Sequence, residues 1–152
     1  MENIKCFIIG LGNISLGYDG FIKNNNKFFT HSKSINSLNS FNLLGGCDIS
    51  KKKRDLFFKI YKKPVFDNID ISLSKLKPYL VILSTPTDTH LNCVKILSKY
   101  KFIKILVCEK PLSNNLEEAK KIIEICKEKK IKLFVNYFRI SDPSTQMLKK
   151  IF

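Results

Sequence analysis

Residues Ile4 to Ile9 form a nearly continuous apolar run that stops at Gly10-Leu11-Gly12, and no other segment constrains the chain as tightly. A strand with one wet face alternates apolar and polar residues, so an unbroken run closed by a glycine turn predicts a strand covered on both faces. The pattern recurs. Phe41-Asn42-Leu43-Leu44 leads into Gly45-Gly46-Cys47-Asp48, Pro64-Val65-Phe66 is a short extended piece, and Tyr79 to Ser84, Lys104 to Cys108 and Ile131 to Val135 read as further strands. Helical segments fall between them, at 31–40, 51–61 and 70–77, the last closed by Pro78. Another starts near Asp88 with the stripe Leu91, Val94, Leu97, Tyr100, and the next carries Leu116, Ala119, Ile122, Ile123 and Cys126. Pro143 opens a final helix.

Strands alternating with helices predict right-handed crossovers and an α/β domain built on a doubly wound, Rossmann-like parallel sheet. At 152 residues and 44% apolar, the chain supports a single core. No apolar run reaches the ~18 residues of a membrane span, and no cleavage signal follows the first strand. Five cysteines at 6, 47, 93, 108 and 126 include no close pair and fall in apolar positions, which predicts reduced core thiols, no metal site and a cytoplasmic setting. The net charge of +14 invites a polyanion partner, but 25 of the 27 basic residues are lysines spread over every helix, and only two are arginines. Arginine is the residue that reads bases and clamps phosphates. Neither a nucleic acid nor a membrane is therefore expected as partner; the oligomeric state is left open.

Ligands of such sheets bind beyond the carboxyl ends of the strands, so the residues there carry the chemistry. After the first strand stands Gly10-Leu11-Gly12-Asn13-Ile14-Ser15, a G-x-G-x-x-S form of the dinucleotide fingerprint. The first glycine permits the tight turn, and the second lets the backbone approach a pyrophosphate. The second strand ends at Asp48, placed to accept hydrogen bonds from ribose hydroxyls or to cap the next helix. It lies about 36 residues past the glycines rather than the usual ~20, because residues 17–30 are an insertion. A carboxylate here favours NAD; NADP stays the alternative through Ser50, Lys51, Lys52 and Arg54.

Ser84-Thr85-Pro86-Thr87-Asp88-Thr89-His90 follows the fourth strand, Glu109-Lys110-Pro111-Leu112 the fifth, and Asn136-Tyr137-Phe138-Arg139 the sixth. His90 reads as a packing or capping residue before a base, and His31 has no better claim. Lys110 is the candidate catalytic residue: a lysine on the sheet's carboxyl edge can bond a substrate hydroxyl or shift its proton. A cis Lys110-Pro111 bond is a plausible device for aiming it.

The order G-x-G-x-x-S, strand-end Asp, T-P-x-x-x-H, E-K-P-L and N-Y-F-R resembles the amino-terminal half of the glucose-fructose oxidoreductase, inositol dehydrogenase and rhizopine catabolism (Gfo/Idh/MocA) family over nearly all of the chain. The resemblance implies an NAD(P)-dependent oxidoreductase acting on sugars, sugar nucleotides or cyclitols. It further implies that Gly10, Gly12, Asn13 and Ile14 line the pyrophosphate and Asp48 the ribose. Thr85, Pro86 and His90 would flank the cofactor, Glu109 and Lys110 would meet the nicotinamide end and substrate, and Asn136 and Arg139 would form the cleft floor. Ile140 stands where members commonly carry a second arginine. Members continue through a second α/β domain that supplies substrate contacts. The expectation is thus a dinucleotide-binding domain at 1–140, with 141–152 starting the helix toward that domain, in a truncated or partial chain that binds its cofactor without turning over a sugar alone. A non-catalytic nucleotide-binding or regulatory module is the alternative.

Overall fold

Along the strand Ile4–Ile9 (β1), Cys6 and Ile8 point into one apolar cluster and Phe7 and Ile9 into another, all four at most 1% exposed. Period-two alternation puts successive side chains on opposite faces, so a run apolar at every position requires a cover on each side. The computed structural model, which describes residues 3–19, 28–137 and 143–151, supplies both covers.

Five further strands join β1: Phe41–Cys47 (β2), Val65–Phe66 (β3), Leu80–Leu83 (β4), Ile105–Cys108 (β5) and Lys132–Val135 (β6). All pair in parallel, in the order β3-β2-β1-β4-β5-β6. The order reverses between β1 and β4, the switch point at which a doubly wound sheet opens a crevice. The helices are His31–Ser37 (α1), Lys51–Tyr61 (α2), Ile69–Leu76 (α3), His90–Leu97 (α4), Leu116–Glu128 (α5) and Pro143–Leu148 (α6). Leu73 of α3, Val94 and Leu97 of α4, and Ile122 and Cys126 of α5 share a cluster with Phe7 and Ile9. Ile35 of α1 and Phe57 of α2 pack with Cys6 and Ile8 on the other face. All five cysteines are free and buried, and burial pushes the thiols of Cys6, Cys47 and Cys108 up to about 12, so they stay protonated.

The structure departs from the sequence reading at element ends. The helix expected over 31–40 stops at Ser37, because Leu38 turns extended and its carbonyl receives the Phe41 amide. The helix expected over 70–77 and closed by Pro78 runs Ile69–Leu76 and is capped by Lys77, whose backbone is left-handed and whose amide returns to the Leu73 carbonyl. After the glycine turn there is no full helix but one π-helical turn, Asn13–Gly17.

Candidate functional site

The parallel register brings one residue from each strand end into a row. Ile9 pairs with Leu83, Leu83 with Cys108, and Cys108 with Val135, so Gly10, Ser84, Glu109 and Asn136 come next, side by side. Backbone bonds fix the row: the Ser84 amide donates to the Ile9 carbonyl at 2.8 Å, the Glu109 amide to Leu83 at 2.9 Å and the Asn136 amide to Cys108 at 2.8 Å. Gly10 and Asp48 extend it, through donation to Cys47 at 2.8 Å and Phe66 at 3.1 Å.

Two glycines of the turn have different physical reasons. Gly10 holds φ at +91°, and a Cβ there would sit 2.5 Å from the Ser84 carbonyl oxygen, so the fold itself demands glycine. Gly12 has ordinary backbone angles, and a Cβ on it would meet nothing within 4 Å. The position is open space rather than packed interior. The amides of Asn13 and Ile14, which follow, have no acceptor among the described residues, leaving donors for an anion. Ser15, where a third glycine is common, is fully buried and its hydroxyl bonds that of Ser84, which in turn donates to the Gly10 carbonyl at 2.8 Å. A small polar residue thereby ties the turn to β4.

Asp48 is 9% exposed, and its side chain reaches the glycine turn. Its Oδ2 accepts the Leu11 amide at 2.8 Å, from inside the glycine turn, with Lys53 Nζ 3.5 Å away, and its Oδ1 accepts the Ser50 amide at 2.8 Å. A carboxylate offers about four lone-pair sites, so acceptor capacity is left for hydroxyls. Arg54, a candidate grip for a 2′-phosphate, is spent locally: its Nη1 donates to the carbonyls of Asp48 and Ile49 at 2.7 and 2.9 Å, and its Nη2 lies 3.8 Å from Asp67.

His90, which the resemblance implies flanks the cofactor, is not among the residues that line the cavity. It is 1% exposed, with Nε2 3.0 Å from the Thr85 carbonyl and Nδ1 3.1 Å from the Leu112 carbonyl. A neutral imidazole has one N–H, so one carbonyl is bonded at a time; when Nε2 donates, the Cys108 thiol 3.4 Å from Nδ1 can donate to it. With Nδ1 donating, the ring ties α4 to the loop after β5 at Leu112; with Nε2 donating, it bonds Thr85 in the β4–α4 loop and can take the Cys108 thiol of β5. Thr85 accepts the Thr89 hydroxyl at 2.7 Å, Pro86 stays exposed, and the Lys110-Pro111 bond is cis.

Glu109 gathers the strongest polar cluster. Its Oε1 accepts from His31 Nε2 at 2.7 Å and Asn136 Nδ2 at 2.6 Å, and its Oε2 takes the Lys110 amide at 3.4 Å. Burial alone would raise this carboxyl, but the bonds from His31 and Asn136, the proximity of the imidazole and the Lys110 amide outweigh it and hold the carboxyl below its usual range. Lys110 is exposed, and its ammonium makes no bond among the described residues. Glu109, Lys110, Asn136, His31, Ser84 and Thr85 all line one cavity of about 910 Å³, which also includes Ile14 and the insertion residues Tyr18, Phe28, Phe29 and Thr30. Arg139 lies outside the described residues.

Sequence reasoning gave His31 no role, and the structure corrects this. The insertion delays α1, so His31 stands far from the glycine motif in sequence although it opens the helix that follows the turn in space. The signal available was Thr30, an N-cap whose hydroxyl accepts the Lys33 amide and which marks His31 as the first helical residue. Phe28 and Phe29, within the stretch read only as an insertion, were also passed over.

Known proteins share this fold. A sequence model of the oxidoreductase family with an NAD-binding Rossmann fold matches residues 4–137. Inositol 2-dehydrogenase of Rhizobium meliloti (strain 1021) is 30% identical over 70 residues, covering 46% of this chain and 21% of that protein. Among solved structures, the WlbA dehydrogenase from Bordetella pertussis, crystallised with NADH and UDP-GlcNAcA, superposes with a TM-score of 0.80 at 20% identity over 98% of this chain. Myo-inositol 2-dehydrogenase from Lactobacillus plantarum gives 0.80 at 18% identity over 99%. This chain covers 41% of each of those two. Sheet order, glycine turn and sequence match agree, and the chain belongs to the Gfo/Idh/MocA oxidoreductase family with its NAD-binding Rossmann fold.

Proposed function

We propose that the chain is the dinucleotide-binding domain of an NAD-dependent oxidoreductase that moves a hydride between the nicotinamide and a carbinol carbon of a sugar, sugar nucleotide or cyclitol. The observation that carries this reading is the open space at Gly12, followed in the chain by the amides of Asn13 and Ile14, which have no acceptor among the described residues, with the Asp48 carboxylate anchored on the neighbouring Leu11 amide. A backbone that approaches a pyrophosphate must lack a side chain where the anion lies, and the ribose beyond it needs an acceptor. Spent locally, Arg54 leaves Asp48 to disfavour a 2′-phosphate, which supports NAD over NADP.

A bound nicotinamide supplies the hydride acceptor. Glu109, held by His31 and Asn136, fixes the backbone from which Lys110 projects. Lys110, in its neutral amine form, takes the hydroxyl proton as the carbinol C–H bond breaks, and in the reverse direction the ammonium returns it. Arg139 belongs to the substrate side of this proposal, as does a second domain, since this chain covers only 41% of each of the two solved relatives.

Calorimetric titration with NADH and NADPH tests the reading. NADH binds more tightly, and Asp48→Ala weakens it by ~1–3 kcal/mol while narrowing the difference between the two. Tighter binding of NADPH by the unmodified chain would contradict the preference.

A further inference from the structure

The cavity's lining is of two kinds: the polar cluster of Glu109, Lys110 and Asn136, and the aromatic residues Tyr18, Phe28 and Phe29, which are 55%, 51% and 43% exposed. Half-exposed aromatics in a concave site are unusual unless they are contact surfaces, since each leaves a large apolar face in water.

These rings are held in place. The Asp19 side chain, 6% exposed, joins both ends of the insertion: its Oδ2 accepts the Phe29 amide at 3.0 Å and the Thr30 hydroxyl at 2.7 Å, and Lys33 Nζ lies 3.6 Å from its Oδ1. The Lys33 ammonium also sits 5.7 Å above the Phe28 ring. Burial alone would raise the Asp19 carboxyl, but the Thr30 and Phe29 bonds and the Lys33 charge outweigh it and hold it low, so the latch is charged at neutral pH. Thr30 meanwhile caps α1 and so places His31 against Glu109. Phe28 and Phe29 are thereby tied through Thr30 and His31, along residues 28–31, to the polar cluster at Glu109.

Resting on the cofactor reading above, we infer that Tyr18, Phe28 and Phe29 form a specificity wall, against which the C–H face of a cyclic polyol stacks while its hydroxyls reach Glu109, Lys110 and Asn136. A six-membered polyol has an apolar face and a hydroxyl rim, and an aromatic plane opposite convergent polar groups matches both. An open-chain polyol presents no flat face. The insertion thus gives this domain a part in choosing its substrate.

Titration of the full chain by saturation-transfer NMR tests the proposal, with NADH present, myo-inositol as the ring probe and glycerol as the open-chain control. NADH affinity is measured in parallel by fluorescence. The Phe28→Ala/Phe29→Ala double variant weakens myo-inositol binding about three- to tenfold and leaves NADH affinity within about twofold. Phe58→Ala, an exposed ring on α2 outside the cavity, changes neither. Equal binding of myo-inositol and glycerol, or an unchanged myo-inositol response in the double variant, overturns the wall while leaving the cofactor reading intact. A parallel loss of NADH affinity also overturns it, by assigning the rings to the nicotinamide. Failure of the unmodified chain to bind NADH overturns the reading beneath it.

Discussion

His31 Nε2 lies 2.7 Å from Glu109 Oε1, joining the first residue of α1 to the first residue after β5 across 78 positions of sequence. Neither residue is informative by itself. Together with Asn136 they turn three separate strand and helix ends into one polar floor beside Lys110.

This floor gives stability a defined pH dependence. Glu109 is held below its ordinary carboxyl range in the folded chain, so its contribution is present above the unfolded value and is lost as pH falls through the folded one. Urea unfolding between about pH 6 and about pH 3 shows a smaller acid-side loss in Glu109→Gln than in the unmodified chain. At neutral pH the variant is less stable by ~1–3 kcal/mol, the range for losing a charged hydrogen-bond partner in a buried site.

Three lysines, Lys62, Lys77 and Lys130, occupy left-handed backbone at φ of 53°, 46° and 55°, where glycine is the unstrained choice. Lys62 and Lys77 each close a helix, donating their amides to the Phe58 and Leu73 carbonyls. Replacing either by glycine stabilises the chain by ~0.5–1 kcal/mol, and the gain reads out as an upward Tm shift of about 1–4 °C.

Phe57 is the one fully buried side chain of α2, stacked on Tyr61 at 5.0 Å between ring centroids. Phe57→Ala removes ~3–5 kcal/mol by transfer and cavity terms, measurable by denaturant unfolding.

The strand run, the helix stripes and the row of strand-end residues were legible because each rests on local periodicity or on the rule that ligands sit past parallel strands. Gly10, Gly12, Asp48, Glu109, Lys110 and Asn136 all fall on that row or in the turn beside it. What escaped depends on contacts between distant segments. His31 meets Glu109 only when α1 packs back toward β5, and the buried setting of His90 rests on Thr85, Cys108 and Leu112, which come from separate segments. The short π-helical turn after Gly12 was hidden by the insertion, which supplies no helical period of its own.

Gly10 and Gly12 separate fold from function most sharply, since one glycine is demanded by the backbone and the other by empty space. Gly10→Ala is expected to lower Tm, because its Cβ would press on the Ser84 carbonyl in a backbone conformation alanine disfavours. Gly12→Ala meets no protein atom within 4 Å and leaves Tm unchanged. The decisive measurement is NADH titration of the unmodified chain beside Gly12→Ala, with both melting curves recorded. Saturable NADH binding that disappears in the equally stable Gly12→Ala chain is the expected result, and equal binding by both, or by neither, would contradict a dinucleotide site at this turn.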